Sequence, residues 1–100
     1  MAVRLTIDED QIDNFCRRHH IRRLSLFGSV LRDDFGPESD IDVLAEFHLE
    51  HIPGFRFIDI QRELADLLGR RVDLNTPGFL SPYIRERIER ESQVLYEEDR

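Results

Sequence analysis

Apolar residues recur along this chain with two different periods, and the switches between them mark out its elements. Ile12, Phe15 and Cys16, with His19 at the margin, recur at three and four, which predicts a helix running to about Arg18. Thr6-Ile7-Asp8-Glu9 reads as the capping box that starts it. Ile21 to Phe27 follows as a first strand, and Asp40-Ile41-Asp42-Val43-Leu44 as a second; both are short, partly β-branched or aromatic, and bounded by Gly, Pro and Ser. Between them, Ser29 to about Asp34 suits a short helix ended by Gly36-Pro37. Helical spacing returns from Phe55 to Leu68, with Phe57, Ile60, Leu64 and Leu67 inward and Gly69 placed as a left-handed stop. Residues 70–75 alternate again, sending Val72 and Leu74 inward. A turn at Thr76-Pro77-Gly78 leads to a last helix from Leu80 to about Glu91, carrying Leu80, Ile84 and Ile88 at every fourth position. Val94-Leu95-Tyr96 adds a short strand before a frayed tail at 97–100. The expected fold is α/β (α+β): one domain over residues 1–100, with a mixed sheet of three to four strands flanked by about four helices.

The alternation in the second strand carries the first chemical signal. Asp40 and Asp42 share one face while Ile41 and Val43 take the other. Two carboxylates on one strand face lie ~6–7 Å apart and repel by roughly 2–3 kcal/mol at an effective dielectric near 20. A divalent cation turns that repulsion into attraction, and Mg²⁺ favours carboxylates completed by phosphate oxygens and water. Gly28-Ser29, at a strand end opening a helix, offers backbone N–H groups and a hydroxyl for a phosphate. Metal on one side and a phosphate cradle on the other suit metal-assisted phosphoryl or nucleotidyl transfer.

Gly28-Ser29, Arg32 three residues after the serine, and Asp40-x-Asp42 together resemble the signature of the polymerase-beta-like nucleotidyltransferases, and most of all the small minimal nucleotidyltransferases. The resemblance runs from about Ile21 to Tyr96. It implies a third acid on a later strand, a place filled by Asp73; alone, Asp73 would read as a strand-end charge. It also implies two Mg²⁺ ions held by Asp40, Asp42 and Asp73, which are then both catalytic and metal residues. An NTP, ATP by this reading, is the substrate, its outer phosphates held by Gly28 and Ser29. Arg32 either faces the triphosphate or pairs with Asp33, Asp34 or Glu38. Many relatives have a small residue after the arginine, whereas Asp33-Asp34 follow here, so the loop geometry differs. Small proteins of this type act as antitoxins that attach nucleotides to a tyrosine of a HEPN-type toxin.

Composition narrows the acceptor. A net charge of −7 argues against tracking a nucleic-acid backbone, which needs a basic footprint. The chain is too short to add a separate acceptor-binding domain, so the acceptor is expected on a partner, in a homo- or hetero-oligomer. Two alternatives stay open: a non-catalytic module that neutralises a partner by contact, and a small-molecule (antibiotic-type) nucleotidyltransferase subunit. No apolar run approaches the ~18–20 residues of a membrane span, which points to the cytoplasm. The lone Cys16 reads as a half-buried helix residue. Adjacent positions on a helix face different ways, so His19 and His20 cannot share a metal; His48 and His51 read as loop residues. Arg22 and Arg23 read as solvated strand-edge charges.

Overall fold

The computed structural model describes residues 7–28, 40–48, 53–79 and 81–98. Helix α1 (Glu9–Arg18) is capped by Asp8, whose Oδ1 accepts from the backbone N–H of Asp10 at 3.0 Å and Gln11 at 3.2 Å. That side chain satisfies two of the N–H groups a helix start leaves open. The cap is therefore two residues later than the capping box suggests, and Thr6 lies outside the described residues. Glu9 and Asp10 in the first turn and Arg17 and Arg18 in the last complement the helix dipole. The chain reverses through His20, at φ +60, into β1 (Ile21–Phe27).

The sheet has the order β3-β2-β1-β4. β1 pairs antiparallel with β2 (Ile41–Phe47), setting Leu24 against Ala45, Leu26 against Val43 and Phe27 against Asp42. β2 runs on through α2 (Phe57–Leu68) to β3 (Val72–Asn75), which pairs parallel to it. A parallel neighbour needs such a crossover. A 3₁₀ turn at Pro77–Phe79, α3 (Pro82–Glu91) and β4 (Gln93–Glu97) complete the chain, β4 lying antiparallel on the far side of β1. The mixed α+β sheet thus matches the expected class. Among the described residues there are three α-helices; the short helix expected over 29–34 falls outside them.

One face of this sheet is the core. Leu24, Leu26, Ile41, Val43, Ala45, Val72 and Leu74 bury against Ile12, Phe15 and Cys16 of α1 and Ile60, Leu64 and Leu68 of α2. Several element bounds differ from expectation for a packing reason. β2 continues to Phe47 because Ala45 and Phe47 still face the core. α2 starts at Phe57, leaving Phe55 fully exposed, and its buried stripe passes through Leu68 while Leu67 is only partly covered. Gly69 closes it in the left-handed region at φ 69, as the pattern predicts. β4 extends to Glu97, which pairs with Arg23 where a frayed tail was expected.

Polar contacts fasten α1 to α2. Glu63 accepts from Arg18, and lies 2.9 Å from His19 Nε2. Partial burial pushes the Glu63 carboxyl up, but the hydrogen bonds and charges of Arg18 and His19 outweigh it and leave the group below its ordinary value. Cys16 is fully buried, not half-buried, and burial, with Asp13 nearby, pushes its thiol up to about 12, so it serves as packing.

Candidate active site

The opposite face of the sheet carries the acids. The parallel register sets Asp42 directly against Asp73. Residues facing each other across neighbouring strands point to the same side. Asp42 is half-buried between Phe27 of β1 and Asp73 of β3, whereas Asp73 and Asp40 are exposed. Strands about 4.8 Å apart place such carboxylates where they repel by about 1 kcal/mol in water and about 3 kcal/mol at an effective dielectric near 20. The register is held firmly on both sides. The Ile41 N–H donates to the Arg71 carbonyl at 2.9 Å, and the Leu74 N–H donates to Oε1 of Gln61 on α2 at 2.8 Å. Asn75 Nδ2 adds a 3.2 Å bond to the Asp73 carbonyl.

Gly28 ends β1 at φ +77, a conformation that L side chains rarely adopt. A Cβ there would lie 2.3 Å from Asp42 Oδ2 and 3.2 Å from its Cγ. Glycine is thus required twice: for the turn, and for the close approach of backbone to the Asp42 carboxylate. The sequence places Gly28 at a strand end as part of a phosphate cradle; it does not anticipate that the Asp42 carboxylate packs against it.

Asp40 immediately precedes β2, and its Oδ1 lies 3.0 Å from Arg71 Nε. The sequence pattern does not single out Arg71, because only the parallel register places it beside Asp40. Among the described residues, no three His, Cys, Asp or Glu side chains converge tightly enough to form a ready-made metal group. The donors present nonetheless fit Mg²⁺, which keeps several waters and takes one or two carboxylates plus substrate phosphates instead of an all-protein cage. Hard carboxylate oxygens on Asp42 and Asp73, with Asp40 two residues before Asp42, are what the protein would supply to such an ion. Ser29 and Arg32 lie outside the described residues.

A cleft of about 580 Å³ opens beside Asp42 and Gly28, closed on its other side by Ile84, Arg87, Ile88 and Glu91 of α3. Arg87 and Glu91 pair one turn apart at 3.8 Å. These α3 residues are missed by a reading that makes the helix purely amphipathic. Ile84 stays 51% exposed, and Ser81 caps the helix by accepting from the Ile84 N–H at 3.4 Å. The signal was available: an apolar stripe at 84 and 88 remains after two helices have already filled the core face. Leu80 lies outside the described residues.

His19, His48 and Arg23 take structural places. His19 meets Phe15 edge-on with centroids 4.9 Å apart, and His48 pairs with Glu98. Arg23 Nε lies 2.6 Å from Glu46, so it is bound on the strand and not merely solvated. His51 lies outside the described residues.

The polymerase beta nucleotidyltransferase family model matches residues 10–100. The chain belongs to that family. Its members include a relative, the protein adenylyltransferase MntA of Thermococcus cleftensis, that is 38% identical over 80 residues, covering 79% of this chain and 77% of its own length. A solved minimal nucleotidyltransferase superposes with a TM-score of 0.71 at 32% identity, over 84% of this chain and 85% of that one. The fold is shared more distantly with a chain from the complex of the tri-AMPylated Shewanella oneidensis HEPN toxin with its MNT antitoxin. That match has a TM-score of 0.64 at 21% identity, over 89% of this chain and 69% of that one. The chain is a nucleotidyltransferase by family, with the acid-bearing sheet edge that its sequence predicts.

Proposed function

We propose that this chain is a Mg²⁺-dependent protein adenylyltransferase that moves AMP from ATP to a tyrosine hydroxyl of a HEPN-type toxin, and so acts as an antitoxin. The observation that carries the reading is the Asp42–Asp73 rung beside Gly28, at the mouth of the α3 cleft, in a chain of this family. The T. cleftensis relative is named for protein adenylylation, and the Shewanella complex joins an AMPylated HEPN toxin to an antitoxin of similar fold; both support the acceptor.

Asp40, Asp42 and Asp73 would hold Mg²⁺, which when bound neutralises phosphate charge and makes the acceptor hydroxyl more acidic. Asp73, the exposed member of the rung, takes the acceptor's proton. The freed oxygen bonds to the α-phosphorus as the bond to the bridging oxygen breaks, and pyrophosphate leaves. Gly28, with Ser29, gives the phosphates close access to backbone N–H groups, and Arg32 offsets charge on the leaving group. Residues 1–100 act together as one minimal domain. No helix among the described residues is long and apolar enough to cross a membrane; we place the chain's work in the cytoplasm as part of this proposal.

The test is intact-mass spectrometry of a HEPN-type toxin incubated with the chain, ATP and Mg²⁺. One or more AMP adducts are expected with the wild type and none with Asp73→Asn. A toxin neutralised equally by both proteins, with no change in mass, would replace transfer by contact inhibition.

A further inference from the structure

The Arg71–Asp40 pair lies on the same sheet edge as the proposed metal ligands, and the transfer chemistry makes no use of Arg71. Arg71 stands two residues before Asp73, and Asp40 two before Asp42, so the pair continues the Asp42–Asp73 rung by one repeat of the strand. The Ile41 N–H bond to the Arg71 carbonyl fixes the two backbones between the rungs. The sheet register sets the two side chains side by side, and their 3.0 Å contact is made at an open edge, with Arg71 74% and Asp40 52% exposed.

We propose that Arg71 is a positioning residue that occupies Asp40 in the metal-free chain and competes with the divalent cation for it. This rests on the reading of Asp40 as a metal ligand. The Asp40 oxygen held by the guanidinium must be released before it can bind a hard cation. Without nucleotide, the cation gains two or three carboxylates but must displace Arg71. With nucleotide present, the phosphates add oxygen ligands to the metal and offer the displaced guanidinium a bidentate partner. Arg71 therefore couples metal loading to nucleotide binding: it lowers affinity for the bare ion and spares affinity for the ion together with its triphosphate. It also screens Asp42 and Asp73 from a third uncompensated charge when the edge is empty.

Mn²⁺ titration followed by the electron paramagnetic resonance signal of the free ion tests this, with and without a non-hydrolysable ATP analogue. Arg71→Gln is expected to bind Mn²⁺ alone about two- to fivefold more tightly than wild type, the scale of an exposed ion pair. The added gain on supplying the analogue should be smaller in the variant. Arg71→Lys, which keeps the charge, should stay near wild type. Arg70→Gln removes the same charge one residue away and controls for general electrostatics. Unchanged or weaker Mn²⁺ affinity in Arg71→Gln, or an equal gain in Arg70→Gln, overturns the competition. Asp40→Asn separates this from the underlying reading. If it lowers Mn²⁺ affinity while Arg71→Gln has no effect, only the competition fails; if it binds Mn²⁺ like wild type, Asp40 is not a ligand and both fail.

Discussion

The two faces of the sheet are built to opposite rules. On the face under α1 and α2, Leu24, Leu26, Val43 and Leu64 are completely or almost completely buried, with no charged group among them. On the other face Asp42 and Asp73 confront each other, with Ser25 and Leu44 buried just behind them and α3 only partly covering the edge. The same strands serve both, since alternate residues of β2 and β3 point to alternate sides. The first face supplies stability; the second gives some of it up to keep like charges adjacent. A functional edge of this kind is where stability and activity should separate under mutation.

The largest separation should come from Asp73→Asn. Losing the proposed proton acceptor is expected to slow the proposed AMP transfer by about 10²–10⁴-fold. Thermal unfolding should show equal or slightly higher stability, because a repulsion is removed. A variant that lost activity only by unfolding would erase the distinction between the faces.

Leu64→Ala probes the other side. A fully buried leucine in a close-packed core should cost about 2–5 kcal/mol in denaturant unfolding. Under conditions where the variant remains folded, its metal and nucleotide affinities should match wild type.

Gly28→Val falls between these extremes and sharpens the boundary. Forcing a β-branched residue to positive φ costs on the order of 1–3 kcal/mol, and its Cβ must also push the Asp42 carboxylate aside. Nucleotide affinity measured by calorimetry should fall along with stability. Wild-type affinity in the folded variant would remove Gly28 from the site.

The smallest effect belongs to the core-side ion cluster. Glu63 sits below its ordinary value in the fold, so its contribution is fully present above the unfolded value near 4.5 and disappears as the pH falls through the lowered folded value. Its side chain is a third exposed, so solvent limits the gain to below about 1 kcal/mol. Stability followed from pH 6 to pH 3 should drop less steeply in Glu63→Gln than in wild type. Identical pH curves would show that Arg18 and His19 do not lower that carboxyl in the fold.

Much of this was legible in the sequence because burial on one face writes a period of two. Asp40-Ile41-Asp42-Val43 and Val72-Asp73-Leu74 declare their sides by alternation alone. Gly69 declares the end of α2 in the same way. What stayed hidden depends on neighbours that local pattern does not contain. Arg71 carries no signal of its own in the alternation of 70–75 until the parallel register sets it beside Asp40. Leu44 and Ser25 are buried on the second face, which the alternation of β2 and β1 alone would leave open. Thr6 and Asp8 are both eligible helix caps by residue type, and only the hydrogen bonds to Asp10 and Gln11 decide for Asp8.

The central claim is that the acids of the open face serve to bind the metal–nucleotide and, apart from the exposed Arg71–Asp40 pair, contribute nothing to holding the fold together. Calorimetric titration of the Asp40→Asn, Asp42→Asn double variant with Mg²⁺ and a non-hydrolysable ATP analogue tests it most directly, paired with a thermal melt of the metal-free protein. The expected result is loss of Mg²⁺-dependent nucleotide binding in a protein that melts no lower than wild type. Unchanged affinity for the metal–nucleotide in the folded double variant would contradict the account.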